Sequence, residues 1–108
     1  GLRLENRVPG GDVNPYLAVA GIVAAGLDGI QKKMTLEPIF EGNAYASDSA
    51  RVPSTMLEAH KLWSESAWVK ETFGAAVQDH YTNYAEIEMA AYGKAVTNWE
   101  LFRNFERS

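Results

Sequence analysis

Arg3, Glu5 and Arg7 stand at alternate positions in the opening run GLRLENRVPGG. In an extended chain alternate side chains share one face and lie roughly 7 Å apart. The row would then read plus, minus, plus, with Leu2, Leu4 and Asn6 on the other side. Two chemistries fit such a row. It can be an exposed ion-pair ladder, which contributes little to stability. It can also be the wall of a site that handles a hard metal ion and phosphate. A carboxylate suits Mg²⁺ or Mn²⁺, and the rigid guanidinium fork suits phosphate and carboxylate oxygens. Taken alone, the triplet favours the ladder.

The elements that must position these residues can be read from turn formers and periodicity. Residues 2–8 read as a strand, and Pro9-Gly10-Gly11 breaks it. Asn14-Pro15 is a helix start, because Asn caps free amides and Pro is pre-set for the first helical position. The helix is expected over residues 15 to 27 or 30, with Gly29 as its stop. Its apolar residues, including Tyr16, Leu17, Ala20, Ile22, Val23 and Ala24, cover nearly the whole circumference, which marks a central helix. Residues 31–52 show no periodicity and read as one long ordered loop, a feature that in a small domain is usually functional or else covers another part of a larger protein. Thr55 and Glu58 fit a capping box opening a helix that presents Leu57, Leu62 and Trp63. A short helix over residues 64–73 follows, ending near Gly74. A longer one spans about residues 75–94, with Val77, Tyr81, Tyr84, Ile87 and Ala91 at three- and four-residue steps. Thr97 and Glu100 form a second capping box before a last short helix carrying Leu101, Phe102 and Phe105. The fold class is therefore mainly α, one N-terminal strand followed by about five helices, in one domain over residues 1–108.

Composition narrows the function classes. The 108 residues carry a formal charge of −4 and no basic tract, which argues against a nucleic-acid-binding face. With no cysteine there is no disulfide framework or thiolate metal site, in keeping with a reducing cytosol. The apolar stretch over residues 13–27 is shorter than the ~20 residues of a membrane span. No signal-peptide pattern is present, and the chain starts without methionine inside a strand-like run, so a piece of a longer cytoplasmic protein is expected.

Arg3-Leu4-Glu5-Asn6-Arg7, Pro9-Gly10 and Asp12-Val13-Asn14-Pro15-Tyr16-Leu17-Ala18 together resemble the closing signature of the glutamine synthetase family. Ala24-Ala25-Gly26-Leu27-Asp28-Gly29-Ile30 is also similar to that family's pattern. Gly42-Asn43-Ala44-Tyr45, Val52-Pro53 and Glu58-Ala59 resemble its C-terminal helical end more loosely. Val96-Thr97-Asn98-Trp99-Glu100 with Phe105-Glu106-Arg107 is similar to the branch that glutamylates amines such as polyamines. The resemblance implies the C-terminal piece of an α+β catalytic domain in an ATP-dependent ligase. Such enzymes phosphorylate the side-chain carboxylate of glutamate, and ammonia or an amine then displaces the phosphate. It further implies Mg or Mn, a homo-oligomer of stacked rings, and active sites between neighbouring subunits. Matched position by position, Glu5 falls on a metal-ligand carboxylate and Arg3 on an arginine near the nucleotide phosphates. Arg7 falls on a catalytic arginine near the glutamate carboxylate and the phosphoryl in transfer. With these neighbours in place, the row reads as one wall of a phosphoryl-transfer site. One carboxylate cannot hold a dinuclear metal site, so the isolated chain is expected to be inactive.

Other candidates carry less. Asn43-Ala44-Tyr45 keeps the local pattern in which some bacterial members are adenylylated, but the acidic and proline-rich residues that follow there are replaced by Ala46-Ser47-Asp48-Ser49. A tyrosine packing locally is the default for Tyr45. His60 and His80 lack a second ligand at metal spacing and read as partly buried histidines. Glu86 and Glu88 face different sides of a helix. Trp63, Trp68, Trp99, Tyr81, Tyr84 and Tyr92 read as core or subunit contacts. The rival class is a small helical interaction module whose Arg-Glu-Arg face binds a protein. The apolar first helix also predicts self-association of an isolated chain.

Overall fold

The computed structural model describes residues 1–105 and 107, so Glu106, part of the amine-branch resemblance, lies outside the described residues. Among the described residues five α-helices follow in order: α1 (Pro15–Gln31), α2 (Met56–Glu65), α3 (Ala67–Phe73), α4 (Ala75–Tyr92) and α5 (Asn98–Asn104). The chain divides into two compact units, Gly1–Val52 and Pro53–Ser108.

In the first unit the expected strand over residues 2–8 is not formed, and no strand occurs among the described residues. A strand needs a hydrogen-bonded neighbour, and none of the described residues supplies one. The helix start is as the sequence dictates: Asn14 Oδ1 accepts from the amides of Tyr16 (3.0 Å) and Leu17 (3.3 Å). The helix end is not. It runs through Gly29 to Gln31, and the left-handed residue that turns the chain is Lys33, at φ 51°. The amides of Lys32, Lys33 and Met34 donate back to Asp28, Ile30 and Gly29, satisfying the last carbonyls. Lys32 also pairs with Asp28 one turn earlier, at 2.9 Å. The long loop contains one 3₁₀ turn, Ala44–Ala46.

The second unit is organised around α4, against which α2 and α3 pack. Trp63 lies 5.9 Å from the Phe73 ring and meets Tyr81 edge-on at the same distance. Among the described residues, only Val69 and Gln78 are buried. The residues of α4 that are at least half-sheltered are Val77, Gln78, Tyr81, Thr82, Ala85 and Met89. The expected stripe was only partly right: Tyr84 and Ile87 are exposed, as is Ala91. Hydrogen bonding of Gln78 to the α2–α3 corner selects the neighbouring row instead.

The boundary between α2 and α3 also differs from expectation. Ser64 and Glu65 finish α2, and Ser66 caps α3 by accepting from the Val69 amide at 3.1 Å. α4 closes at Tyr92, so Gly93 and Lys94 lie in the turn beyond it. Gly74 joins α3 to α4 at φ 86°, ψ 154°, a region essentially closed to other residues. A Cβ there would meet nothing within 4 Å, so the constraint is backbone conformation and not space. Gly74→Ala is expected to lower stability by about 1–3 kcal/mol. Urea unfolding followed by tryptophan fluorescence checks this.

The two caps are unequal. Thr97 and Glu100 exchange bonds as a full box, the Thr97 amide donating to Glu100 Oε2 at 2.7 Å and the Glu100 amide to Thr97 Oγ1 at 3.3 Å. At α2 only half of the expected exchange occurs with Thr55, whose Oγ1 accepts from the Glu58 amide at 3.2 Å. Glu58 reaches one residue further back, and the Ser54 amide and hydroxyl both donate to its Oε2 at 2.9 Å. The Ser54 amide is the main reason that Glu58 sits below the usual carboxylate range, and the Thr97 amide does the same for Glu100. A carboxyl whose folded pKa is depressed adds stability that is complete above its unfolded pKa and lost as pH falls through the folded value. Fraying at the starts of α2 and α5 is therefore expected below about pH 4.3. Amide exchange at Ser54 and Thr97 reports it, and Glu58→Gln or Glu100→Gln should remove that dependence at its own helix.

Candidate functional site

Residues 1–7 carry neither helix nor strand, and their charged side chains project into solvent. Arg7 Nε donates to Glu5 Oε1 at 2.8 Å, so these two alternate residues share a side as the pattern requires. Their side chains are 83% and 68% exposed, which makes the pair a weak source of stability by itself. Arg3 makes no hydrogen bond or ion pair among the described residues. The structure thus brings Glu5 and Arg7 together and leaves Arg3 apart. Asn6 Oδ1 accepts from the Val8 amide at 3.0 Å, fixing the bend that leads into Pro9 and Gly10.

Glu5 has the right chemistry for Mg²⁺ or Mn²⁺, which take oxygen ligands. It is one ligand where about six are required. No group of three or more His, Cys, Asp or Glu side chains among the described residues can hold a metal. The donor set therefore fits such an ion only as one contributor to a site completed elsewhere. Arg3 and Arg7 supply two fixed positive charges on the same short segment, suited to phosphate or carboxylate oxygens.

Tyr45 occupies the 3₁₀ turn, and its backbone is braced on both sides. Its amide donates to Asn43 Oδ1 at 3.1 Å, and its carbonyl accepts from Arg51 Nη2 at 2.7 Å. The side chain is 86% exposed, so the expectation of local packing was wrong. A turn held by the Asn43 and Arg51 side chains needs no ring to hold it.

The histidines divide. His60 is half-buried and its Nε2 lies 3.2 Å from Glu86 Oε1, an ion pair linking α2 to α4 when the ring is protonated. His80 is exposed rather than partly buried, and meets Tyr81 edge-on at 5.0 Å. Of the aromatic set, Trp63, Trp68 and Tyr81 are half-buried, whereas Tyr84, Tyr92 and Trp99 are exposed. Arg103 lies over the Trp99 ring at 5.5 Å. No helix among the described residues is long and apolar enough to cross a membrane.

The main residue missed from sequence is Gln78. Its amide nitrogen donates to the carbonyls of Trp63 (2.8 Å), Ser64 (3.2 Å) and Ser66 (2.9 Å), while Trp63 Nε1 donates back to the Gln78 carbonyl at 3.0 Å. A polar residue three positions before Tyr81, on the same helical face, was the available signal.

Residues 1–104 match the family described as glutamine synthetase, catalytic domain. The chain is 57% identical over 106 residues to a gamma-glutamylethanolamide synthetase of Streptomyces coelicolor, covering 98% of this chain and 23% of that protein. It is 35% identical over 125 residues to a glutamine synthetase of Thermococcus kodakarensis, covering 97% and 28% respectively. A glutamate–isopropylamine ligase of a Pseudomonas species is 36% identical over 104 residues, covering 94% and 23%. The chain therefore spans about a quarter of the length of these relatives. With the match extending across nearly all of its residues, the chain belongs to the glutamine synthetase family.

Proposed function

We propose that these residues are the C-terminal part of the catalytic domain of an ATP-dependent ligase, a larger α+β enzyme that joins the γ-carboxyl of glutamate to ammonia or an amine. The observation that carries this reading is the 57% identity, over almost the whole chain, to a protein that makes a γ-glutamyl amide of ethanolamine. A second amine ligase among the relatives supports an amine as acceptor. Arg3, Glu5 and Arg7 form one wall of the site. Glu5 would supply one carboxylate ligand to a Mg or Mn ion, which when bound would neutralise nucleotide phosphate charge. Arg3 meets the nucleotide phosphates. Arg7 meets the glutamate carboxylate and the phosphoryl group on its way from ATP, and its bond to Glu5 orients it. A fixed guanidinium at developing phosphoryl charge needs no reorganisation during transfer.

The remaining ligands and the amine pocket belong to other parts of the enzyme, which works as a ring-forming homo-oligomer in the cytosol. The 108 residues by themselves are inactive. Tyr45, held outward on its braced turn, is the position where adenylylation would act. The test is the full-length protein incubated with ATP, glutamate and either ammonia, ethanolamine, isopropylamine or a polyamine. Amine-dependent phosphate release with the corresponding γ-glutamyl product by mass is expected. Absence of glutamate-dependent phosphate release with every acceptor overturns the reading.

A further inference from the structure

Arg7 is held at two points, and only one of them lies within the row of charged side chains. Its Nε donates to Glu5 Oε1 at 2.8 Å, which leaves both terminal nitrogens of the guanidinium without a partner among the described residues. The second point is on the backbone, where Asn6 Oδ1 accepts from the Val8 amide at 3.0 Å. The ring closed by that bond runs through both rotatable backbone bonds of Arg7. It therefore fixes the direction in which the arginine side chain leaves the chain. Among the described residues, residues 1–9 make no hydrogen bonds besides these two.

The restraint continues toward α1. Val8 precedes Pro9, which keeps the Val8 backbone out of the helical region, and the proline ring fixes the next φ. The chain bends at these two residues. The Val13 amide then donates to the Gly10 carbonyl at 3.3 Å, and Asn14 caps α1. Asn6 is the last link in this stiffened path from the helix to Arg7. It is exposed, and its side-chain nitrogen bonds nothing among the described residues, so the acceptor oxygen is the part in use. We propose that Asn6 is a positioning residue for Arg7. Its bond to the Val8 amide sets the arginine backbone so that Nε reaches Glu5 and the terminal nitrogens are left for glutamate and phosphoryl oxygens. The inference rests on the role given to Arg7 under Proposed function.

The test uses the full-length protein carrying Asn6→Ala, Asn6→Gln or Asn6→Ser. Alanine removes the acceptor, and glutamine keeps the amide but carries it one methylene too far. Serine retains a weaker acceptor that closes a similar turn. Deuterium exchange at the Val8 amide, resolved by fragmentation mass spectrometry, reads the bond directly. On the same preparations kcat, KM for ATP and for glutamate, and the melting temperature are measured. Val8 exchange is expected to quicken in the Ala and Gln variants, and kcat to fall by about 10–100-fold, as for a small displacement of a group at the reacting centre. KM for ATP should scarcely change, because the nucleotide phosphates are met by Arg3. The Ser variant should recover part of both the Val8 protection and kcat. Melting temperatures should stay close together, since the bond is exposed and contributes little to global stability. In an Arg7→Lys background Asn6→Ala should cost little more, because the fork that it positions is gone, whereas two independent roles would add their losses in full.

Full activity of Asn6→Ala or Asn6→Gln overturns the inference and leaves the ligase reading intact. A loss of kcat with unchanged Val8 exchange also overturns it, as does a full additional loss in the Arg7→Lys background. A melting temperature that falls in step with activity assigns Asn6 to stability alone, with the same consequence. Absence of glutamate-dependent phosphate release from the unsubstituted protein with every acceptor overturns the ligase reading itself, and the role of Asn6 with it.

Discussion

Glu5→Ala in the full-length ligase is expected to lower kcat/KM by about 10²–10³-fold, comparable to removing a fixed charge-stabilising group from an active site. That corresponds to about 3–4 kcal/mol of transition-state stabilisation. Global stability should scarcely change, because the Glu5–Arg7 pair is largely solvent-exposed and such pairs contribute about 0–1 kcal/mol. The split between activity and stability is the informative result. A surface ladder would lose almost nothing in either measurement. Glu5→Gln retains the shape and one acceptor oxygen but removes the charge, and should remain strongly impaired. Raising Mg²⁺ or Mn²⁺ should recover part of its activity, since a lost carboxylate ligand weakens metal affinity first. Arg7→Lys tests the other half of the pair. Lysine keeps the charge but loses the planar fork, so a substantial fall in kcat is expected despite the conservative substitution. Assays at fixed ATP and glutamate, with metal titrated and thermal unfolding run in parallel, distinguish these outcomes.

The legibility of this protein follows the range of its interactions. Helix starts depend on one side chain and the next three amides, so Asn14, Thr55 and Thr97 could be read directly. Helix ends were less readable because Lys33, an ordinary lysine, takes the left-handed position that Gly29 was expected to hold. The strand over residues 2–8 required a pairing partner, and composition carries no information on whether one is present. At α4, periodicity gave the helix but not the packed row, because the buried position is held by Gln78, a polar residue that an apolar pattern does not mark. Its amide is tolerated there because carbonyls from the preceding helical corner meet it. The same locality explains the candidate site. Arg3, Glu5 and Arg7 lie within five consecutive residues and could be recognised together. In the proposed function their chemistry depends on parts far away in sequence, which no local pattern describes.

The junction between Trp63 and Gln78 should produce the largest stability effect in the second unit. Three carbonyls at the corner of α2 and α3 converge on one side-chain amide nitrogen, which has two protons to share among them. Gln78→Leu keeps approximate volume but removes all three bonds. The Trp63 and Ser66 carbonyls keep the amides of Ser66 (3.4 Å) and Lys70 (3.2 Å), and the Ser64 carbonyl loses its donor, at an expected cost of about 2–4 kcal/mol. Trp63→Phe removes the indole N–H together with part of the ring that packs near Phe73 and Tyr81. The Gln78 carbonyl that the N–H served also accepts from the Thr82 hydroxyl at 2.8 Å, so the hydrogen-bond share of the cost is nearer 1 kcal/mol. Gln78→Glu separates a hydrogen-bonding role from a packing role. Its carboxylate would face carbonyl oxygens, so its folded pKa should rise above the unfolded value. The destabilisation should then be smallest below the unfolded pKa and grow as pH rises through the folded one. The extra cost of Gln78→Leu has no such pH dependence. Urea unfolding followed by far-ultraviolet circular dichroism, at acid and neutral pH, makes the comparison without relying on Trp63 fluorescence. Equal and pH-independent losses for the Leu and Glu variants would mean that Gln78 fills space, and that the three carbonyls do not depend on it.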